Sequence, residues 1–277
     1  MPVRNRGPGL TADDLTPILI VGAGHMGGAL IEGWLAVGAF AASDLMIVDP
    51  APGEAGQAAL GEGARLNPPD EALGSAGTVV LAVRPQVWRE AAAAIAPKLA
   101  GDAVVVSVAA GVKTADLAAA FAPRAVARTM PTTGVAVGKG AVAIFAHAAK
   151  ARARAHALFD AVATTVDLDH EALMDAAVAV SGSAPAYLYA FIEALSAAGE
   201  AEGLSAEAAT ALVRATLIGA AALLDRSGED AAELRRKVAS PGGTTEAALK
   251  VLMADDGLGP LAARTVAAAA RRSRELG

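Results

Sequence analysis

The sequence contains no cysteine. That excludes disulfides, thiolate nucleophiles and Cys-based metal sites, and it fits a reducing compartment, so a cytoplasmic protein is expected. Aromatic residues are scarce as well, at 3% of the chain against 54% hydrophobic residues overall. The apolar content is therefore mostly alanine and aliphatic side chains, which suit closely packed helices. There is no excess of positive charge: the formal net charge is −6, and no Lys/Arg cluster is interleaved with aromatics. Nucleic acid is not expected as a partner. The four histidines, His25, His147, His156 and His170, are scattered without metal-ligand spacing, and no metal is expected. The opening segment "MPVRNRGPGLTADDLTP" has two arginines but no apolar run behind them. It reads as a loose arm over residues 1–15 and not as a signal peptide. The longest weakly charged stretch, Val178 to Gly199, holds Ser-Gly-Ser-Ala-Pro and Glu193, which predicts a capped, buried helix and no membrane span.

A chain of 277 residues can hold two domains of ordinary size. Over residues 16–166, short β-branched runs appear at 18–21, 45–48, 78–83, 103–108, 125–129 and 141–145, with helical segments such as 26–37, 86–96 and 114–121 between them. Alternation of apolar strands with helices predicts a mostly parallel, doubly wound α/β sheet covered on both faces. After Asp167 the strand patterns stop, and residues 167–277 read as all-helical, with Gly203 and Gly228 as stops and Ser205 as an N-cap. Residues 205–226 are apolar on most sides, through Leu212, Val213, Leu217, Ile218, Leu223 and Leu224. A domain of this size has little interior to bury such a helix, so a second copy of the chain is expected to cover it. A compact monomeric bundle is the alternative.

The run "ILIVGAGHMGGALIEGWL" carries a dinucleotide fingerprint. Gly22-x-Gly24-x-x-Gly27 follows a strand and opens a helix, and Asp49 ends the second β-branched run. In such a Rossmann-like turn Gly22, Ala23, Gly24, His25, Met26 and Gly27 would cradle a pyrophosphate at the helix start. Asp49 would accept hydrogen bonds from the adenosine ribose, which favours NADH; the alternative is that Asp49 points to solvent and only starts the turn before Pro50. The segments "LAVRPQ" and "VSVAAG" end further strands, so Ala82, Val83, Arg84, Pro85, Ala109 and Ala110 should border the cofactor.

Between two helical runs lies "SPGGTTE", residues 240–246. As a turn, Pro and Gly punctuate and a Thr caps the next helix. As an anion site, the glycines let the backbone approach a ligand and the helix start offers N–H groups. Ser183 in "SGSAPAY" is the expected N-cap of a long helix from Ala184, or lines a substrate pocket. Glu171 and Asp175, spaced i, i+4, are expected on a solvated helix face, with a pocket-facing role as the alternative.

Taken in order, "IVGAGHMGGALIEG", "LAVRPQ", "VSVAAGV", "RTMPTTG", "VAVSGSAPAYLYAFIEAL" and "SPGGTTEAALKVL" resemble the motifs of the Δ1-pyrroline-5-carboxylate reductases. The resemblance covers nearly the whole chain from Ile18, and the last two motifs are the specific ones. It implies NAD(P)H-dependent reduction of 1-pyrroline-5-carboxylate to L-proline, with NADPH favoured by family usage. It implies a homodimer interlocked through the C-terminal helices, with a higher oligomer of dimers as an open extension. Ser240, Gly242, Gly243, Thr244, Thr245 and Ser183 become substrate-binding candidates, with the N–H groups of Gly243, Thr244 and Thr245 holding the carboxylate. Thr245 becomes the catalytic candidate, its hydroxyl offered to the ring nitrogen, and Pro131 joins the cofactor wall. The chain departs from the family pattern at His25 (usually Asn), Arg84 (commonly Lys), and Thr132 and Gly134 (usually Asn and Pro). A glycine at 134 would loosen what proline fixes. A related imine or β-hydroxyacid reductase and a non-catalytic dinucleotide-binding dimer are the alternatives. Hydroxyacid enzymes of this architecture generally need a lysine acid/base, and Lys237 and Lys250 lack that motif's surroundings.

Overall fold

The computed structural model describes residues 12–276. Backbone contacts divide it into two compact units, one reaching to Gly182 and taking up the chain again from Ala270, the other Ser183–Ala269. The first unit is built on eight strands: β1 (Ile18–Val21), β2 (Leu45–Val48), β3 (Arg65–Leu66), β4 (Thr78–Leu81), β5 (Val104–Ser107), β6 (Ala125–Pro131), β7 (Gly140–Phe145) and β8 (Ala163–Asp167). Their order in the sheet is β3-β2-β1-β4-β5-β6-β7-β8. Every neighbouring pair is parallel except β6 with β7.

Helices α1 (Ala12–Leu15), α2 (His25–Ala36), α3 (Glu54–Gly61), α4 (Asp70–Leu73), α5 (Trp88–Ile95), α6 (Thr114–Phe121), α7 (Ala149–Phe159) and α8 (Met174–Ala177) accompany the sheet. Both faces are covered, as the apolar strand runs require. Along β1, Ile18 and Ile20 pack into a cluster with Leu30, Ile31, Trp34 and Phe159, while Leu19 and Val21 pack into a second with Trp88, Leu117 and Phe121. The indole N–H of Trp34 donates to the Leu158 carbonyl at 2.7 Å, which satisfies the one polar atom of that buried ring.

Two strands escape the sequence pattern. β3 is two exposed residues long, and β8, "ATTVD", is too polar to register as a β-branched apolar run. β8 is held to α7 by His156, whose ring nitrogens lie 3.1 Å from Asp160 and 3.1 Å from Asp167. Of the expected arm 1–15, residues 1–11 lie outside the described residues. Ala12–Leu15 is helical, and Leu15 is buried in the first cluster, so this part is docked and not loose.

The second unit carries α9 (Ala184–Ala201), α10 (Ala206–Ser227), α11 (Ala231–Val238), α12 (Thr244–Leu252) and most of α13 (Leu258–Leu276). Ser205 caps α10 as expected, accepting from the Ala208 N–H at 3.2 Å, and Gly228 closes it in the left-handed conformation. The expectation of a capped, buried helix over 178–199 fails in two ways. Val178–Gly182 is a π-helical turn, and α9 starts from Ser183 without a side-chain cap. Within one chain α9 buries only Ser196, leaving Tyr189 at 62% and Leu188 at 50% exposure, while Ile218 on α10 is 67% exposed. By length and composition 171–201 and 206–227 could each cross a membrane. The two helices pack on each other, yet large apolar side chains on both stay exposed in a single chain, as the sequence argument for a second copy expects.

One close approach fixes α2. A methyl group on Gly33 would lie 2.0 Å from the Val135 carbonyl oxygen, because the helix packs directly on the 3₁₀ turn Thr133–Val137. Glycine to alanine inside a helix ordinarily stabilises by about 0.5–1 kcal/mol. Here the sign reverses: Gly33→Ala should destabilise by about 1–3 kcal/mol, as overpacking does, and lower the melting temperature by several degrees in a circular-dichroism scan. An unchanged or raised melting temperature would show that the contact yields.

Candidate active site

The parallel register brings the ends of β1, β2, β4, β5 and β6 into line: Val21 pairs with Val48 and Leu81, Leu81 with Ser107, and Ser107 with Arg128. The strand order reverses between β1 and β4, the switch point where open sheets take ligands at their carboxyl edge. The glycine turn sits there. Gly22 has φ +95°, and a methyl group on it would meet the Ala82 carbonyl oxygen at 2.8 Å; on Gly27 it would meet the Gly22 carbonyl oxygen at 2.0 Å. Gly24 faces open space, His25 is the exposed first residue of α2 and Met26 is half-buried. No side chain caps α2, so the N–H groups of its first turn point at that space.

Asp49 stands just past the end of β2 and is half-buried. Its carboxylate turns back into the fold, accepting from the Ala23 N–H at 2.7 Å and from the Ala51 N–H at 2.8 Å. Asn67, which sequence reasoning missed, brackets the same backbone: its carbonyl accepts from the Asp49 N–H at 3.1 Å and its amide donates to the Asp49 carbonyl at 3.0 Å.

Ala82 and Val83 are half-buried just past β4, Arg84 and Pro85 are exposed, Ala109 is buried and Ala110 exposed beyond β5, and Pro131 is buried at the end of β6. The Ala109 N–H is held by the Ser107 hydroxyl at 3.2 Å. The departures at 132 and 134 are internally supported. The Thr132 hydroxyl accepts from the Ala141 N–H at 3.0 Å. A methyl group on Gly134 would lie 2.8 Å from the Lys139 carbonyl oxygen, so glycine here permits a close approach and does not loosen the segment.

The Ser240–Glu246 stretch is a turn feeding a helix start. Gly242 has φ +72° and the Gly243 N–H donates to the Ser240 carbonyl at 3.0 Å, the pattern of a type II turn with Pro241 at its corner. Gly243 is the N-cap of α12, so neither Thr244 nor Thr245 caps it with a side chain. The Gly243 N–H is thereby engaged and unavailable to a ligand, which corrects that part of the anion reading. The Gly242 N–H is taken by the Glu246 carboxylate. The first helical bond runs from the Ala247 N–H to Gly243, leaving the Thr244 and Thr245 N–H groups at the helix start. Ser183, half-buried, precedes α9 without accepting a cap bond.

Glu171 and Asp175 are not on a solvated face. Glu171 accepts from the Thr114 N–H at 2.8 Å, the Thr114 hydroxyl at 2.6 Å and the Arg128 guanidinium at 3.0 Å. Asp175 accepts from the Ser273 hydroxyl at 2.6 Å. The outer side of Glu171 reaches an open cavity of about 480 Å³ shared with His147, Arg152, Asp169 and His170, away from the glycine turn.

Residues 171–276 match the family model described as pyrroline-5-carboxylate reductase dimerisation, and residues 17–111 match the one described as NADP oxidoreductase, coenzyme F420-dependent. The chain is 41% identical to a pyrroline-5-carboxylate reductase of Pseudomonas aeruginosa over 94% of its own length and 96% of the relative's. The chain belongs to the pyrroline-5-carboxylate reductase family. A Synechocystis pyrroline-5-carboxylate reductase is 36% identical over 93% of this chain and 97% of its own. The solved pyrroline-5-carboxylate reductase from Coxiella burnetii superimposes with a TM-score of 0.86 at 28% identity, covering 95% of this chain and 99% of that one. The family's oxidoreductase activity and its dinucleotide-binding and dimerisation regions are thus those of this chain.

Burial alone would raise the Glu171 carboxyl, but the hydroxyl and N–H of Thr114 and the Arg128 guanidinium outweigh it and hold the group below its ordinary value. A depressed carboxyl contributes stability that is complete above the unfolded value, about 4.3, and is lost as pH falls through the folded one. Between about pH 5 and 3 the wild-type melting temperature should therefore fall more steeply than that of Glu171→Gln. Parallel slopes would show that the carboxylate contributes nothing.

Proposed function

We propose that the protein reduces 1-pyrroline-5-carboxylate to L-proline, with the glycine turn and the start of α2 holding the pyrophosphate of a nicotinamide dinucleotide. The observation that carries this is the uncapped α2 start, open at Gly24 and set at the sheet's switch point, in a chain of this family. The site fits the group: uncapped N–H donors at the helix start would face its pyrophosphate, and the packing at Gly22 and Gly27 leaves no room for a side chain. Bound there, the reduced nicotinamide supplies a hydride to the C=N carbon.

The chain's own residues hold and orient. The Thr244 and Thr245 N–H groups donate to the substrate carboxylate, and the Thr245 hydroxyl bonds the ring nitrogen. A protonated iminium takes hydride at carbon while the C=N π pair becomes the nitrogen lone pair, so no further acid is required and the protein contributes position and electrostatics. Ala82, Val83, Ala109, Ala110 and Pro131 border the cofactor. Lys237 pairs with Glu229 and Lys250 with Glu246, so neither is a free acid/base of the hydroxyacid kind. The exposed apolar sides of α9 and α10 meet a second copy, dimers assemble further, and the enzyme works in the cytoplasm.

Thr245→Ala should lower kcat/KM by about three- to tenfold, the worth of one neutral hydrogen bond of about 0.5–1.5 kcal/mol, with dinucleotide affinity near wild type. Thr245→Val separates hydroxyl from volume. Wild-type kcat/KM in both variants would remove Thr245 from the mechanism.

Asp49 sets the cofactor preference. Its carboxylate, fixed by two backbone donors at the end of β2, would be a like charge beside a 2′-phosphate, so NADH is preferred over NADPH. Asp49→Ser loosens the turn and weakens both cofactors, but the ratio of their kcat/KM values should move toward NADPH by about tenfold, since 1.4 kcal/mol of removed repulsion is a factor of ten. Steady-state kinetics with both cofactors checks it, and a wild-type preference for NADPH defeats it.

A further inference from the structure

We infer that Glu171 is a positioning residue for the nicotinamide end of the dinucleotide site. The inference rests on the reading above, in which the loop between β5 and α6 borders the nicotinamide. That loop, residues 108–113, is pinned at both ends. At its start the Ser107 hydroxyl accepts from the Ala109 N–H. At its end both carboxylate oxygens of Glu171 close on Thr114, the first residue of α6.

The far pin is supplied from an unusual place. The N-cap position of α6 is Lys113, which provides no side-chain cap. A cap whose only task was helix stability would come from residue 113 itself, as Ser205 does for α10. Here it comes from the segment that follows β8, so the loop's geometry is tied to another part of the unit. The same carboxylate oxygen that takes the Thr114 N–H also takes Arg128, whose side chain is only 7% exposed. Arg128 lies on β6 just ahead of Met130 and Pro131, and a methyl group on Gly182, the last residue of the π-helical turn, would touch the Met130 sulfur at 3.4 Å. One anion thus sets the loop after β5 and β6 in a single arrangement. Pre-organised loops bind more tightly because less is left to order on binding. The adenosine end has its own fastening: Ala23 donates to Asp49 and accepts from the Gly53 N–H at 3.0 Å, and none of these residues contacts Glu171 through a hydrogen bond among the described residues.

The consequence is a separation between the two ends of the ligand. Calorimetric titration of the full-length protein with NADH, NADPH and ADP-ribose reads it directly. Glu171→Ala should weaken the better-bound dinucleotide about tenfold and change ADP-ribose by less than about twofold, tenfold being the effect of 1.4 kcal/mol. A purely structural role would leave both ligands within twofold of wild type, or weaken both alike in step with the melting temperature; either result overturns the inference. Should Glu171→Ala fail to fold, Glu171→Gln keeps the volume and one cap acceptor while breaking the ion pair. It is expected to weaken the dinucleotide about threefold with ADP-ribose unchanged, and equal effects on the two ligands overturn the inference there too. Wild-type protein that binds neither dinucleotide would instead overturn the reading beneath it, and this inference with it.

Discussion

The turn after β1 keeps its shape because the Asp49 carboxylate takes the Ala23 N–H. A helix start can hold an anion only while its own N–H groups stay unspent, and a glycine-rich turn can present them only while something fixes its path. Asp49 fixes that path from the neighbouring strand, Asn67 fixes Asp49's backbone in turn, and α2 is left uncapped. The chemistry proposed at the carboxyl edge depends on this division of labour, in which one carboxylate is spent on the backbone so that the donors beyond it stay available.

Most of the sheet could be read from the sequence because its central strands are buried on both faces. Four consecutive apolar residues in β1 and β2 leave few alternatives. β3 and β8 could not be read: they are edge elements, one of them two exposed residues and the other half polar, and they exist because a neighbouring strand or helix is already in place. The glycine motif was legible for the same reason that it works, since Gly22 and Gly27 are demanded by contacts local in sequence or made to the next strand of the sheet. Glu171 was not. Its partners, Thr114 and Arg128, are remote in sequence, and nothing about a glutamate near a helix start announces a buried arginine. The threonines of residues 240–246 misled in a smaller way, because a glycine can hold the N-cap position as well as they can.

The segment expected to depart from the family pattern, residues 132–134, is held by its own packing. The Thr132 hydroxyl accepts from the Ala141 N–H, and Gly134 admits the Lys139 carbonyl where a side chain would not fit. The 3₁₀ turn Thr133–Val137, which contains Gly134, is pressed against α2 at Gly33. Close backbone contacts of this kind have little room to relax, so the wall beside Pro131 is set by sterics as much as by hydrogen bonds.

The apolar exposure of α9 and α10 in a single chain has a thermodynamic consequence. A helix unit that completes its core only against a second copy has no protomer-level free energy of its own, and its unfolding must follow mass action. In the proposed dimer, dilution would act as a denaturant: the melting temperature would fall as concentration falls, and a freshly made chain at low abundance would wait on an encounter before its helices are safe from aggregation or proteolysis. The rarity of aromatic residues sharpens this, because alanine-rich surfaces gain their binding energy from many small contacts made together and little from any one made early.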